Sequence, residues 1–512
     1  MSPGAYPLGT GIRLPGFKEL SNREPIAQAP LPDRLVYPLR QHIGEPAEPV
    51  VKVGDRVLKG EVLARAGGYV SAPVHASTSG RVVALDALPV PHPSGLTAPC
   101  IVVEPDGEDA WAELTPLEDW PSVDPSRLRN AIREAGIVGM GGAGFPTYIK
   151  LNPGPGRAVE TVILNGVECE PYITCDDRLM RERPEEVVAG ARIIRHAVQA
   201  RRCVIGIEDN KPEAYQALRR AATDGIDVQQ IPTVYPAGAE KQLVQILTDR
   251  EVPSGKLPLE VGVVVQNVAT AAALYRAVAR GQPLLSRVVT VTGNGVGHPR
   301  NYEVALGTPV AHLVEQSEPR PAQAWALILG GPMMGFALHD DQAPVVKTTN
   351  CILVDVRLVA SEPPLPCIRC GSCSQVCPMY LLPQQLYWFA RARNFDRIQD
   401  YSLFDCIECG CCAYVCPSHI PLVHYYRFAK SEIWALERDR RRADLAKLRH
   451  TSRVERIEAE KREREERQQR RKAAAPAGPA GDGEDPKKVA IQAALERARA
   501  KQAAQSGAGG AP

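Results

Sequence analysis

One spacing constrains this chain more than any other feature. Cys367-x2-Cys370-x2-Cys373-x3-Cys377-Pro378 returns 39 residues later as Cys406-x2-Cys409-x2-Cys412-x3-Cys416-Pro417. The two copies take eight of the 14 cysteines. Disulfide scaffolds spread their cysteines through short secreted chains, so thiols clustered at metal-ligand spacing in 512 residues point to a reducing compartment. The spacing is that of bacterial two-cluster [4Fe–4S] proteins. Three closely spaced thiolates grip one cubane from a tight loop, and the fourth, locked by the proline after it, serves the other cubane. Cys367, Cys370, Cys373 and Cys416 are therefore assigned to one cluster, and Cys406, Cys409, Cys412 and Cys377 to the other. Structural zinc needs only four ligands per site, commonly as two separated CxxC pairs, and fits two four-cysteine repeats less well. Cys411 is surplus and reads as a thiol beside the ligands. Cys100, Cys169, Cys175, Cys203 and Cys351 are scattered and read as small buried residues.

The rest of the chain divides by pattern. Residues 40–105 alternate short Val/Leu runs with Gly-Asp, Lys-Gly and Ser-Gly turns, a β signature. They resemble the barrel-sandwich domains that carry lipoyl or biotinyl groups on a hairpin lysine. The matching turn here, Pro73-Val74-His75-Ala76, has no lysine, so the module reads as structural or docking and His75 as an ordinary turn residue. Residues 120–290 alternate helices and strands. Asp124 caps a helix with Pro125 at its first position, Leu128, Ile132 and Ala135 recur at helical spacing, and Gly136 ends it. Strand runs at Glu160–Leu164 and Cys203–Ile207 and helical runs at Glu185–Ala200 and Pro212–Ala222 predict a largely parallel sheet covered by helices. Short β segments return over 290–360. Between the cysteine motifs, Leu382–Arg391 reads as a helix whose aromatics are core. The stretch Arg438–Lys472 holds 15 basic and eight acidic residues without an aromatic, and reads as a solvated helix or disordered arm. After an Ala/Pro/Gly linker, Asp485-Pro486 opens a short helix with Ile491, Leu495 and Ala498 on one stripe, and the final SGAGGAP reads as a free end.

Charge and hydropathy exclude other classes. With 61 basic and 59 acidic residues, a net charge of +2 argues against a nucleic-acid surface. The chain start lacks a charged-then-apolar leader pattern. The best apolar stretch, Val261–Tyr275, is too short for a bilayer and is broken by Gln266 and Asn267, so no membrane span is expected.

The sequence Gly139-Met140-Gly141-Gly142-Ala143-Gly144-Phe145-Pro146-Thr147 formally matches G-x-G-x-x-G. The dinucleotide fingerprint must follow a strand, and this loop follows a helix, so that reading loses. The glycines still bring backbone N–H groups close to a phosphate, and Lys150 can reach the same charge. GGAGFPT followed by lysine resembles the flavin loop of the NADH-binding subunit of respiratory complex I. Leu164–Pro171, Tyr235–Lys241 and Gln266–Thr270 resemble further segments of that family, with departures at Val167, Gln266 and Ala269. Tyr235 and Glu240 read as turn or cap residues.

Together with the barrel-sandwich start, the paired cysteine motifs and the charged tail, this combination resembles the RnfC family, the C subunits of Rnf (also called Rsx) electron-transport complexes. The resemblance implies an α/β multidomain fold: a barrel-sandwich domain over 1–115, a complex-I-like flavin-binding α/β domain over 120–288, a small β-grasp-like domain over 289–360, a helical two-cluster ferredoxin domain over 361–430 and a charged tail over 431–512. It implies non-covalent FMN, with Gly141, Gly142, Gly144 and Lys150 on its phosphate. Asn165, Asn267 and Thr270 would face the flavin or ribityl chain, and Glu168 and Glu170 would lie near the nicotinamide of NADH. It further implies a peripheral place on the cytoplasmic face of a bacterial inner membrane. There the chain would join other membrane and peripheral subunits of a complex that moves Na⁺ or H⁺, with ferredoxin linked through the complex. A two-electron hydride donor and one-electron clusters need a flavin between them, and no acid–base triad is required. The competing readings are a flavin-free iron–sulfur relay or docking subunit, and a lipoyl-type carrier disfavoured by the missing lysine.

Overall fold

Alternating Val and Leu residues build the first β layers. Leu35–Pro38, Thr97–Pro105, Gly80–Pro89 and Arg56–Val57 form an antiparallel sheet in that order, and Glu48–Pro49, Val62–Arg65 and Val74–His75 form a second. Leu35, Tyr37, Leu63, Val82, Ile101 and Val103 fill the space between them. The computed structural model describes residues 11–154, 156–223, 225–320, 326–355, 363–474 and 485–506. The extreme start, the Ala/Pro/Gly linker and all but the first residue of SGAGGAP lie outside these.

The helix–strand rhythm after residue 120 forms a four-stranded parallel sheet. Its order is Ile226–Ile231, Arg202–Glu208, Thr161–Gly166, Val263–Asn267. The first strand in sequence lies between the second and the fourth, so the chain winds one way through three strands and then crosses back. Helices Pro184–Ala197 and Val268–Arg280 pack so closely that a Cβ on Gly190 would lie 1.9 Å from the Ala271 carbonyl oxygen. The helix Pro125–Glu134 starts as its cap implies, the Asp124 carboxylate accepting from the Ser126 N–H at 2.8 Å. The Val261–Tyr275 stretch holds the buried edge strand Val263–Asn267 and the start of the helix after it.

A mixed six-stranded sheet follows, in the order Ala27–Gln28, Arg300–Ala305, Ser286–Thr292, Cys351–Asp355, Ala326–Leu329, Phe336–Ala337, with a helix at Val310–Gln316. Its edge strand Ala27–Gln28 comes from the N-terminal region, and Ile12 pairs with Tyr235 of the parallel domain. The chain before the barrel is thus strapped across the other two domains. His75 differs from the turn residue expected: it lies in a strand, 4% exposed, beside the buried Lys347 ammonium, and its Nδ1 has no hydrogen-bond partner. Burial, and then Lys347, push its imidazole down to about 3.

The cysteine region is helical, with turns at Ser372–Gln375 and Cys411–Tyr414 and helices at Pro383–Arg391 and Phe395–Asp400. Tyr387 is buried and Phe389 half-buried, but Trp388 faces solvent, so the aromatics of this helix are only partly core. A helix runs over Leu422–Ala473, and its buried residues end at Ile433. Residues up to Ile433 form one compact unit, and those from Trp434 another. In the second unit the residues are almost all exposed, including Ile491 and Leu495 of the helix Pro486–Ser506. Among the described residues no helix is long and apolar enough to cross a membrane.

Candidate redox site

The cysteine repeat is also a conformational repeat. Arg369 and Glu408 both take φ 58°, Gly371 and Gly410 take 81° and 82°, and Tyr380 and His419 take 52° and 50°. Each pair is separated by the 39-residue offset of the motif. Left-handed residues reverse the chain tightly, so each loop turns its three thiols inward. Cys367, Cys370, Cys373 and Cys416 line one cavity, and Cys377, Cys406, Cys409 and Cys412 line a second. The fourth cysteine of each motif therefore stands with the other motif's three, the crossing expected from the spacing. Cys411 is fully buried and lines the second cavity beside Cys409. Four sulfurs around a small, largely apolar cavity suit a thiolate-bound cluster, and the Leu381 N–H points at Cys377 Sγ from 3.4 Å.

The two cages differ in setting. Cys370 is exposed, and Leu365 and Ile368 beside it are 58% and 68% exposed. Cys409 and Cys412 are buried, and Cys409 packs with Tyr235 of the parallel domain. We call these the outer and inner cages.

In open α/β sheets, ligands bind beyond the carboxyl ends of the strands where the strand order reverses. Here that point lies between Thr161–Gly166 and Val263–Asn267, whose ends pair Asn165 with Asn267. The Asn267 Oδ1 accepts from the Ala269 N–H at 2.8 Å, capping the next helix, and its Nδ2 donates to Asp176 at 2.6 Å. The glycine loop lies over this end. Met140 N–H donates to Thr270 Oγ1 at 2.9 Å, and a Cβ on Gly141 would stand 3.2 Å from Asn267 Cβ. Gly142, at φ 133°, has nothing within 4 Å of where its Cβ would be, and the buried Gln266 Nε2 has no partner. An open glycine floor and an orphaned amide fit a phosphate-bearing ligand such as FMN. Gly144, at φ 64°, forms the loop's base, where a Cβ would strike Thr348 Cγ2 at 2.7 Å. Lys150 is already engaged, donating to Glu240 at 2.7 Å and to the Val265 carbonyl at 3.0 Å.

The two glutamates part company. Glu168 is buried at the sheet end, accepting from the Asp176 N–H at 2.8 Å, and burial pushes its carboxyl up to about 7. The Glu170 carboxylate instead accepts from Met333 and Met334 N–H at 2.7 and 3.2 Å, in the loop that covers the inner cage. Lys18, which no motif marked, ties this stretch together by donating to the carbonyls of Glu168, Glu170 and Ile173. Asn165 Nδ2 donates to the Gly238 carbonyl at 2.8 Å. Arg287, also unmarked, donates to the Met140 and Lys347 carbonyls behind the glycine loop. Nothing in the local sequence sets Lys18 or Arg287 apart, because their partners lie more than a hundred or some sixty residues away.

Family comparisons agree with this layout. Residues 7–108 match the RnfC barrel sandwich hybrid domain and 132–276 the Nuo51 FMN-binding domain. Residues 288–337 match the SLBB domain and 366–420 the 4Fe-4S dicluster domain. The C subunit of the ion-translocating oxidoreductase complex of Edwardsiella ictaluri (strain 93-146) is 49% identical over 449 residues, 87% of this chain and 56% of the relative. The protein of the same name from Vibrio cholerae serotype O1 (El Tor Inaba N16961) is 48% identical over 76% of this chain and 50% of the relative. That from Yersinia pestis bv. Antiqua (strain Antiqua) is 48% identical over 86% of this chain and 71% of the relative. The chain thus spans about half the length of the first two relatives. A solved NAD+-reducing [NiFe]-hydrogenase in the H2-reduced state is 20% identical over 63% of each chain with a TM-score of 0.44, too distant a likeness to carry an argument. With its four domain matches in the order found in the structure, and with this identity to the Yersinia protein, the chain belongs to the RnfC family, the C subunits of ion-translocating oxidoreductase complexes.

Proposed function

We propose that this chain passes electrons from NADH, through non-covalently bound FMN, to two [4Fe–4S] clusters and on to partner subunits of a membrane-bound, ion-translocating complex. FMN accepts a hydride and releases electrons singly, which is the chemistry it supplies between NADH and the clusters. The glycine loop, with Gly141, Gly142 and Gly144, offers backbone N–H groups to its phosphate, and Lys150 adds charge when released from Glu240. Asn165, Asn267 and Thr270 shape the wall beside the ring and ribityl chain. Glu168 stands near the nicotinamide side, where a carboxyl pushed up by burial keeps local negative charge low near neutral pH. Glu170 is assigned to the inner-cage side. Cys377, Cys406, Cys409 and Cys412 would hold the cluster nearer the crevice, and Cys367, Cys370, Cys373 and Cys416 the one nearer the outlet.

The observation that carries this reading is continuity: the sheet end that bears Asn165 and Asn267 belongs to the same domain that grips the inner cage. The chain would sit peripherally on the cytoplasmic face of the inner membrane, held by other subunits, with ferredoxin served through the complex. A second reading, a flavin-free iron–sulfur relay, draws on one observation: the cationic Lys150 is already paired with Glu240.

Anaerobically prepared chain decides between them. The first reading expects about eight irons and about eight sulfides per chain, flavin fluorescence after acid release, and bleaching of cluster absorbance by NADH. Clusters without flavin and without NADH-driven bleaching favour the relay, and iron far short of eight removes both.

A further inference from the structure

The inner cage is not merely near the flavin domain; it is held by one segment of it. Tyr235 is 3% exposed, and its hydroxyl donates to the Cys409 carbonyl oxygen at 2.6 Å. Gln242, seven residues on and buried, donates from Nε2 at 2.9 Å to the carbonyl of Pro378, the residue after Cys377. Asp405, which precedes Cys406, accepts from Lys241 at 3.2 Å, from the Gly255 N–H at 3.2 Å and from the Ser254 hydroxyl. Three of the four inner ligand segments are thus gripped from residues 241–255 and Tyr235. The outer ligand segments are instead tied to each other. The Leu365 N–H donates to the Ser418 carbonyl at 2.8 Å, and the Ser418 hydroxyl donates to the Pro366 carbonyl at 2.9 Å.

The same segment reaches the crevice. Gly238 accepts from Asn165 Nδ2 at 2.8 Å, and it packs so closely that a Cβ there would lie 2.5 Å from the Val167 carbonyl oxygen. At its other end the backbone of Tyr235 exchanges two 2.9 Å hydrogen bonds with Ile12. The four residues Tyr235–Gly238 therefore span from the sheet end to a ligand of the inner cage, and both ends are anchored. The Tyr235 phenol also faces the Glu170 carboxylate, which itself holds the Met333–Met334 loop against Gly410.

We propose that Tyr235 and Gln242 are positioning residues for the inner cluster, fixing its loop to the flavin crevice and setting its potential. Groups that hydrogen-bond around metal ligands orient them, and their loss costs about 10–100-fold in affinity or activity. Hydrogen bonding and burial are also the protein's levers on cluster potential. Tyr235 acts as a neutral phenol: each transfer moves one electron from the crevice to the inner cage, no bond forms or breaks, and Tyr235 keeps its proton. The assignment of the cages as clusters rests on the function proposed above.

The test uses the full chain with its clusters assembled anaerobically and reduced stepwise by a chemical reductant rather than by NADH. A chain lacking flavin therefore leaves the result readable, and the flavin reading can fail without deciding this one. In Tyr235→Phe, we expect the electron paramagnetic resonance signal of one cluster to shift and its midpoint potential to fall, while the other stays at the wild-type position. Cys409→Ala identifies which signal is the inner one. The inference is overturned if neither signal moves in Tyr235→Phe with iron retained, or if only the outer one does. Should Tyr235→Phe fail to hold iron, Gln242→Met carries the same test, and an unmoved inner signal in that variant overturns the inference.

Discussion

The two halves of the cysteine repeat share a backbone and differ in everything around it. Arg369 and Glu408 occupy equivalent left-handed positions. Arg369 sits at the outer cavity, whereas Glu408 accepts from Arg427 and Lys430 at 2.8 and 2.7 Å. Gly371 has open space where a Cβ would be; at Gly410 a Cβ would stand 2.8 Å from the Met333 carbonyl oxygen. Pro366 precedes the outer motif, and its equivalent, Asp405, is held from three sides. A duplicated loop is enough to make a cage. Its neighbours decide whether that cage is buried against the parallel-sheet domain or open to solvent.

The largest expected effect separates the cages outright. Cys409→Ala should cut iron from about eight to about four per chain and spare the outer signal, and Cys370→Ala should do the reverse. Cys416→Ala should remove the outer cluster rather than the inner one; loss of the inner signal instead would refute the crossed assignment. A second contrast is kinetic. Because Cys370 is exposed and Cys409 buried, a chelator under mild oxidation should strip the outer cluster several-fold faster, followed by absorbance and by the two resonance signals. Equal rates would show that burial does not distinguish them.

Smaller effects probe the grip. Asp405→Ala removes the acceptor for Ser254, Gly255 and Lys241 and should cost about 1–3 kcal/mol in thermal unfolding of the assembled chain, while Pro366→Ala at the equivalent outer position should cost less. Away from both cages, burial brings the Lys347 ammonium from its ordinary 10.5 down to about 7. It is fully enclosed and donates to the Pro73 and Gly136 carbonyls at 2.6 and 2.8 Å. Between pH 7 and 10.5 the unfolded chain carries a proton there that the folded chain lacks, so this residue makes stability rise with pH across that window. Lys347→Met should flatten the rise by up to about 1.4 kcal/mol per pH unit, and identical slopes would show that Lys347 stays charged when folded. Least of all, a chain ending at Ile433 should keep both clusters, since burial ends there; lost absorbance would make the charged helix structural.

Legibility in the sequence followed the range of the interaction. The cap at Asp124, the strands around Ile163 and Ile205 and the helix Pro383–Arg391 depend on near neighbours, and their patterns located them within a few residues. Resemblance named Asn165, Asn267 and Thr270, and these meet at one sheet end. Tyr235 read as a turn residue because the carbonyl it binds lies 174 residues away. His75 read as a turn residue because the lysine that buries with it comes from another domain. Glu168 and Glu170 are two residues apart and looked alike, yet one is buried against the Asp176 N–H and the other holds the cage loop.

By itself, the sequence determined the ligand type, the number of cages and their crossing, because thiol spacing and the proline after each fourth cysteine act over a dozen residues. It also set the parallel sheet, through hydrophobic periodicity. Which cage turns inward was decided only in the tertiary structure. Two copies of one motif carry the same thiol spacing, and long-range packing, that of Tyr235, Gln242 and Asp405 at the domain junction and of Met333 over Gly410, breaks their equivalence.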